Sequence, residues 1–229
     1  METNTGLSSG ARASLRGIGE DESFFTSDTP VGIYIDDVYI ARQTGALFDL
    51  NEIERLEVLR GPQGTLYGRN TSAGAIKLVT RKPAETLRMT AELTAGDYGR
   101  KDARFGVSGP FSDRFGAQLS LLSRQRDGYD RNLVDGSRVN DQDVMAGRVA
   151  LQFRPTETID AILAYDKVRE RSTPGYATGL TLQPPGGLGA FNASDQIDGD
   201  RDVHTLRSDL LNPINDLDQQ GASLTLTWK

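Results

Sequence analysis

The stretch that decides the fold is residues 59–83, LRGPQGTLYGRNTSAGAIKLVTRKP. It contains four glycines and a proline close together, and these residues favour tight turns that bring backbone segments near each other. Short apolar runs lie on either side, Ile53–Leu59 and Ala75–Val79, and each has the length of a strand. The stretch has no nucleophile beside a base, and it lacks the Gly-Lys-Ser/Thr ending of a phosphate-binding loop. It therefore indicates a compact structural unit.

The composition excludes several kinds of partner and site. Among 229 residues, 32 are acidic and 26 basic, and there is no basic stripe, so nucleic acid is not an expected partner. Cysteine is absent, which excludes disulfides and thiolate metal sites. No apolar run approaches the ~18 residues of a membrane helix. The mean hydropathy of −0.45 is nevertheless compatible with membrane strands, because alternating apolar and polar residues average to a hydrophilic value.

Residues 1 to 83 are predicted to form short strands around turns. Two apolar runs, Val31–Ile35 and Val38–Ile40, flank the acidic pair Asp36-Asp37 and predict a β-hairpin. The two carboxylates are adjacent, so they point in different directions, and a turn role is favoured over a catalytic acid–base pair. Asp49 is expected to cap a short helical turn before the next strand.

From about residue 84 the pattern changes to strict alternation, with apolar residues at every second position. Six such runs of about 9–14 residues suit tilted strands that cross a membrane. They begin at Leu87, Ala103, Phe115, Met145, Ile159 and Ala222.

The lengths of the connections between these runs support a membrane barrel. The first, third and fifth connections are Gly96–Arg100, Asp127–Gln142 and a long segment from Arg171 to Gln220. The second and fourth, Gly109–Asp113 and Pro155–Thr156, are short. Short periplasmic turns and long external loops are typical of outer-membrane barrels. A soluble β-sandwich would also alternate, but it has no reason to sort its loops in this way.

Three motifs resemble those of TonB-dependent outer-membrane receptors. Ser14–Gly19 is similar to the first plug motif, and Val31–Ile40 is similar to the YxDGV hairpin, with Asp37 in place of the usual glycine. Ile53–Gly64 is similar to the strongest plug block. The resemblance implies a mainly β fold. Residues 1–83 would be the later part of a mixed α/β plug domain, and residues 84–229 about six strands of an antiparallel transmembrane barrel with about 22 strands.

The resemblance also suggests particular residues. Arg16 and Arg60 match plug arginines that pair with glutamates on the inner barrel wall and lock the plug, since a buried guanidinium needs carboxylate partners. The plug motifs would turn at Gly17, Gly61, Pro62, Gly64, Gly68 and Gly74. No catalytic residue, resident cofactor or metal site is expected. The ligand would bind at the plug apex and the external loops, at positions that the sequence does not identify.

The function implied by the resemblance is energised uptake of a scarce ligand, most simply a ferric siderophore, across the outer membrane of a Gram-negative bacterium. Cobalamin, heme and glycans are alternative ligands, and the partners would be the TonB complex and membrane lipid. Neither a signal peptide nor a TonB box is visible, and six strands cannot close around a plug. We therefore expect an internal section of a longer receptor. A non-transporting surface binding module and an inactive gene remnant remain alternatives.

Two further groups of residues could in principle form a binding site. The acidic stretch from Asp195 to His204 fits no EF-hand, so a solvated loop is favoured over a calcium site. The aromatic residues Phe153, Tyr165 and Trp228 fall on the apolar side of their runs, and we place them near strand ends. A girdle at the lipid interface is therefore favoured over a site that stacks a ligand.

Overall fold

The computed structural model describes residues 2–3, 11–19, 29–40, 53–133, 135–173, 205–206 and 214–228. Within these ranges the secondary structure is almost entirely β, and no helix is long and apolar enough to span a membrane. The elements are, in chain order, β1 (Glu2–Thr3), β2 (Ala11–Arg12), β3 (Ser14–Leu15), β4 (Ile18–Gly19), β5 (Val31–Ile35), β6 (Val38–Tyr39), β7 (Ile53–Arg60), α1 (Gly64–Tyr67), β8 (Gly74–Thr80), β9 (Arg88–Gly96), β10 (Arg100–Ser112), β11 (Phe115–Arg126), β12 (Asp130–Asn132), β13 (Arg138–Val139), β14 (Gln142–Phe153), β15 (Ile159–Ser172), β16 (Thr205–Leu206) and β17 (Asn215–Trp228).

Four strands form a small sheet in the order β6-β5-β8-β7. The predicted hairpin is present as β5 and β6, and the two apolar runs beside the glycine-rich stretch form β7 and β8. Strand β8 lies at the centre, parallel to β5 and antiparallel to β7. The sheet is held by a core that includes Val31 and Ile76, with Ala13 packed against them. The helical turn predicted at Asp49 lies outside the described residues, and Ile53 already belongs to β7.

Six strands form a large antiparallel sheet in the order β9-β10-β11-β14-β15-β17. The six predicted runs lie in these strands, except that Leu87 precedes β9, and the bounds of three connections were wrong. The turn predicted at Pro155–Thr156 covers residues 154–158. Strand β10 continues through Gly109 and Pro110 to Ser112, because a bulge between Pro110 and Ser112 accommodates the proline within the strand. The last connection is shorter than predicted, because Glu170 to Ser172 still pair with β17 from Asn215.

The large sheet buries polar side chains on one face and exposes apolar ones on the other. Gln118, Arg148 and Gln152 are buried, whereas Leu93 is 85% exposed and Leu226 is 68% exposed. In water this arrangement would forfeit the burial of a whole apolar face. It suits a sheet whose outer face meets lipid and whose inner face meets polar protein. The alternation predicted from sequence is therefore observed, with the apolar side outward.

Aromatic side chains gather at one edge of that outer face. Phe115 and Phe153 stack with ring centroids 4.6 Å apart, and Trp228, 86% exposed, ends β17 at the same edge. The placement of Tyr165 near a strand end was wrong. Because β15 runs on to Ser172, Tyr165 lies in mid-strand, where its hydroxyl donates to Gln220 Oε1 at 3.0 Å.

Candidate functional site

The feature that joins the two sheets is the turn of the β5–β6 hairpin. Asp36 and Asp37 occupy it with φ of +48° and +68°, the left-handed conformation that two-residue hairpins require and that Asp tolerates. The two carboxylates have different partners. Asp37 accepts from Lys77 Nζ at 2.6 Å within the small sheet, and this hydrogen bond raises the pKa of Lys77. Asp36 points towards the large sheet.

The Asp36 carboxylate is held in place by Thr80, at the end of β8. Its Oδ1 accepts from the Thr80 backbone amide at 2.8 Å, and its Oδ2 accepts from the Thr80 hydroxyl at 2.6 Å. The Asp36 amide in turn donates to the Leu78 carbonyl at 3.0 Å. The side chain is thus oriented by the small sheet itself before it meets any other group.

Arg148, on the inner face of β14, completes the contact. Its Nη2 donates to Asp36 Oδ2 at 2.6 Å and to Thr80 Oγ1 at 3.2 Å, and its Nη1 donates to Asp166 Oδ1 at 2.5 Å. The Arg148 side chain is 6% exposed, against 22% for Asp36 and 26% for Asp166. One buried guanidinium therefore bridges a carboxylate of the small sheet and a carboxylate of the neighbouring strand β15. We call Asp36, Thr80, Arg148 and Asp166 the hairpin cluster.

A cavity of about 210 Å³ lies beside the hairpin cluster. The hairpin forms one wall and the inner face of β17 forms another, from Gln219 to Ser223. At Gly221 this wall has no side chain, and an added Cβ would lie 3.6 Å from Asp166 Oδ2. The hairpin is therefore fixed to the large sheet at the cluster and separated from it immediately beside the cluster.

A second set of contacts follows the segment between the sheets, residues 81–87. Lys82 Nζ donates to Asp160 Oδ2 at 2.8 Å, and the other oxygen of Asp160 accepts from Gln152 Nε2 at 2.8 Å. The Ala84 amide donates to Ser108 Oγ at 2.7 Å. These contacts lie near the edge of the large sheet that carries the short turns at 113–114 and 154–158. The chain thus enters the large sheet from its short-turn side.

Several buried polar atoms on the inner face of the large sheet have no hydrogen-bond partner within the described residues. They include both side-chain amide atoms of Gln118, the Ser120 hydroxyl and Gln152 Oε1. Buried polar groups are normally paired by protein or by ordered water. A polar face of this kind suits a hydrated interface.

A group of aromatic residues attaches the glycine-rich stretch to the hairpin. Tyr34 Oη donates to the Tyr67 carbonyl at 2.6 Å, and burial raises the pKa of Tyr34. The Tyr34 and Tyr67 rings meet edge to face with centroids 5.0 Å apart, and Asn70 Nδ2 donates to Tyr39 Oη at 2.9 Å. The short helix α1 is thereby fixed over β5 and β6.

At the opposite edge of the large sheet, the 127–141 loop folds back on the 97–99 turn. The Asp127 amide donates to the Tyr98 carbonyl at 2.8 Å, and the Arg126 guanidinium lies 4.7 Å from the centre of the Tyr129 ring. Asp135 accepts from both the hydroxyl and the amide of Ser137, which lowers the pKa of Asp135. The described residues of this loop thus form a hydrogen-bonded surface at this edge.

The sequence-predicted lock arginines, Arg16 and Arg60, are both exposed and lie on adjacent segments. Leu15 packs next to Gly74, and Gly74 is the register partner of Arg60. The described residues show no carboxylate on the large sheet paired with either arginine. The lock therefore stays a prediction.

The motif turn positions divide into two groups. Gly17, Gly61, Gly68 and Gly74 have positive φ, whereas Gly64 begins α1 after Pro62. The acidic stretch from Asp195 to His204 lies outside the described residues, and no group of metal-ligating side chains occurs in the part that is described.

The comparisons with known proteins agree with this architecture. Residues 1–75 match the family model of the TonB-dependent receptor plug domain. The chain is TonB-dependent-receptor-like. It is 32% identical over 147 residues to the pesticin receptor of Yersinia enterocolitica, a match that covers 63% of this chain and 21% of the receptor. It is 33% identical over 109 residues to the ferrioxamine B receptor of Salmonella typhimurium, covering 45% of this chain and 16% of that one.

A solved structure extends the likeness beyond the plug region. The ferric yersiniabactin uptake receptor of Yersinia pestis superimposes with a TM-score of 0.73 at 26% identity, over 98% of this chain and 33% of that receptor. The chain thus spans about a fifth of the pesticin receptor and a third of the yersiniabactin receptor. On the basis of these similarities, the chain is assigned to the outer-membrane proteins of Gram-negative bacteria.

Proposed function

We propose that this chain provides the plug and the first barrel strands of an outer-membrane receptor that imports a ferric siderophore with energy transmitted by TonB. The observation that carries the proposal is the pairing of a small sheet with the polar inner face of a large sheet whose apolar face points outward. Such a sheet needs lipid outside and polar protein inside. A siderophore as ligand is supported by the similarity of the chain to receptors for ferrioxamine B and ferric yersiniabactin.

Within this proposal, residues 1–83 are the plug, and residues 84–229 are part of an antiparallel barrel of about 22 strands. The edge with the short turns faces the periplasm, and the edge with the 127–141 loop faces the outside. Arg16 and Arg60 lock the plug through glutamates on other barrel strands. Their adjacent placement beside Gly74 supports this role.

The test is an uptake assay with the intact reading frame that contains this sequence, in a Gram-negative host that lacks its own siderophore receptors. Iron-loaded ferrioxamine B and yersiniabactin are supplied with radioactive iron, and cobalamin and heme are tested in parallel. We expect accumulation of one ferric siderophore that disappears in a host without TonB. Binding without accumulation would favour a surface binding module, and uptake of only cobalamin or heme would contradict the ligand assignment.

A further inference from the structure

We propose that the hairpin cluster is a plug anchor of its own, in which a plug carboxylate docks onto a barrel arginine. This inference rests on the proposed function, and it reverses the charges of the lock expected for Arg16 and Arg60. The plug contributes Asp36, and the barrel contributes Arg148 with Asp166 as its support. All three are positioning residues that hold the plug hairpin against the wall.

The charges of the cluster allow the contact between plug and barrel to be reversible. Arg148 carries one positive charge between two carboxylates, and its side chain is almost fully buried. If the hairpin moves away, Arg148 keeps Asp166 as a partner and remains paired inside the wall. Asp36 keeps the two hydrogen bonds from Thr80. Each side therefore retains a partner after separation, and the contact can break and form again without stranding a buried charge.

The position of the cluster fits this role. The hairpin turn is the part of the small sheet that reaches β14, and the cavity beside it leaves the hairpin free of the wall at β17. Loss of the Asp36–Arg148 contact would connect that cavity with the polar, partly unpaired inner face near Ser120, which is the register partner of Arg148. The anchor thus controls how often this face is uncovered.

The experiment uses the accessibility of one introduced thiol. The chain contains no cysteine, so Ser120→Cys creates a single reactive thiol at a position that is 5% exposed. The Ser120 hydroxyl makes no hydrogen bond within the described residues. In the full chain in detergent, the rate of reaction with a polar maleimide measures how often the plug leaves the wall. Asp36→Asn in this background is expected to raise the rate about tenfold, the factor typical of losing a charge-assisted hydrogen bond. Asn adopts positive φ as readily as Asp, so the turn itself is preserved.

The neighbouring residue provides a matched control. Asp37→Asn changes the same chemistry in the same turn, but its partner Lys77 lies within the small sheet, so the rate should stay within about twofold of the parent. Asp166→Asn should not raise the rate, because Asp36 is then the carboxylate partner that Arg148 keeps among the residues the structure describes. Equal rates for Asp36→Asn and the parent, or equal acceleration by both turn variants, would overturn the anchor. Neither ligand nor TonB is needed, so failure here leaves the uptake test intact and the two results remain distinguishable.

Discussion

Alanine substitutions at three glycines of the plug motif should distinguish the energetic cost of backbone strain from the cost of a steric clash. Gly74 has φ of +151°, and an added Cβ would lie 2.2 Å from the Leu59 carbonyl oxygen and 2.6 Å from Leu15 Cδ1. Gly61 has φ of +88° with nothing within 4 Å, and Gly64 has neither positive φ nor a neighbour. An alanine would therefore meet both backbone strain and a steric clash at Gly74, strain alone at Gly61, and neither at Gly64.

The magnitudes follow from these environments. Gly61→Ala should cost about 1–2 kcal/mol for the left-handed backbone. Gly74→Ala adds about 1–3 kcal/mol for displacing a packed backbone carbonyl, giving about 2–5 kcal/mol in total. Gly64→Ala, at a compatible position, should stabilise by about 0.4–1 kcal/mol by restricting the unfolded chain.

The assay is cleavage by trypsin after Lys77, which lies in the centre of β8 and is protected until the small sheet opens. At low protease concentration the cleavage rate follows the open population, so each 1.4 kcal/mol changes it tenfold. We expect cleavage to accelerate about 5- to 30-fold for Gly61→Ala and about 30-fold to a few thousand-fold for Gly74→Ala, and to slow for Gly64→Ala. Equal rates for Gly61→Ala and Gly74→Ala would refute the steric argument.

Three further outcomes are expected. Leu151→Arg, on the outer face, should cost about 2–4 kcal/mol of folding free energy in lipid vesicles, whereas Leu133→Arg in the loop, at the same 49% exposure, should cost little. The small sheet should lose thermal stability as the pH rises above about 10, because the pKa values of Tyr34 and Lys77 are raised in the folded state. The stabilisation from these two groups is complete below their unfolded pKa values of 10.0 and 10.5. It is lost as the pH passes through their higher folded pKa values. Arg148→Gln should cost about 3–5 kcal/mol in denaturant titrations, because it leaves two facing carboxylates, and a loss under 1 kcal/mol would contradict the burial argument.

The sequence predicted those features that repeat along the chain. The alternation identified the large sheet and its inward side, because an apolar side chain at every second position is visible without knowing any partner strand. The hairpin at Asp36 was predicted from its flanking apolar runs. The end of β15 was not, since Arg169 to Ser172 are polar on both faces and show no apolar alternation, although they pair with β17 and Glu170 and Ser172 are buried.

The hairpin cluster could not be predicted in the same way. Arg148 is recognisable in sequence as a charged residue on the inward side of its strand, and this signal marks it as a residue that needs a partner. Its partner Asp36 is 112 residues away on another sheet, and the short-range pattern assigned that residue a turn role only. The short helix α1 was also missed, since its four residues begin with glycine and offer no helical periodicity.

The parallel pairing of β5 with β8 has a mechanical consequence. The segment before Val31 and the segment after Thr80 leave this pair at opposite ends, since the register runs from Val31–Gly74 to Ile35–Leu78. Tension between those two segments therefore acts along the strands and loads every hydrogen bond of the pair at once, instead of unzipping them singly. A pull from the N-terminal side meets its greatest resistance inside the sheet, so the weaker, reversible contacts with the wall are the ones that yield first.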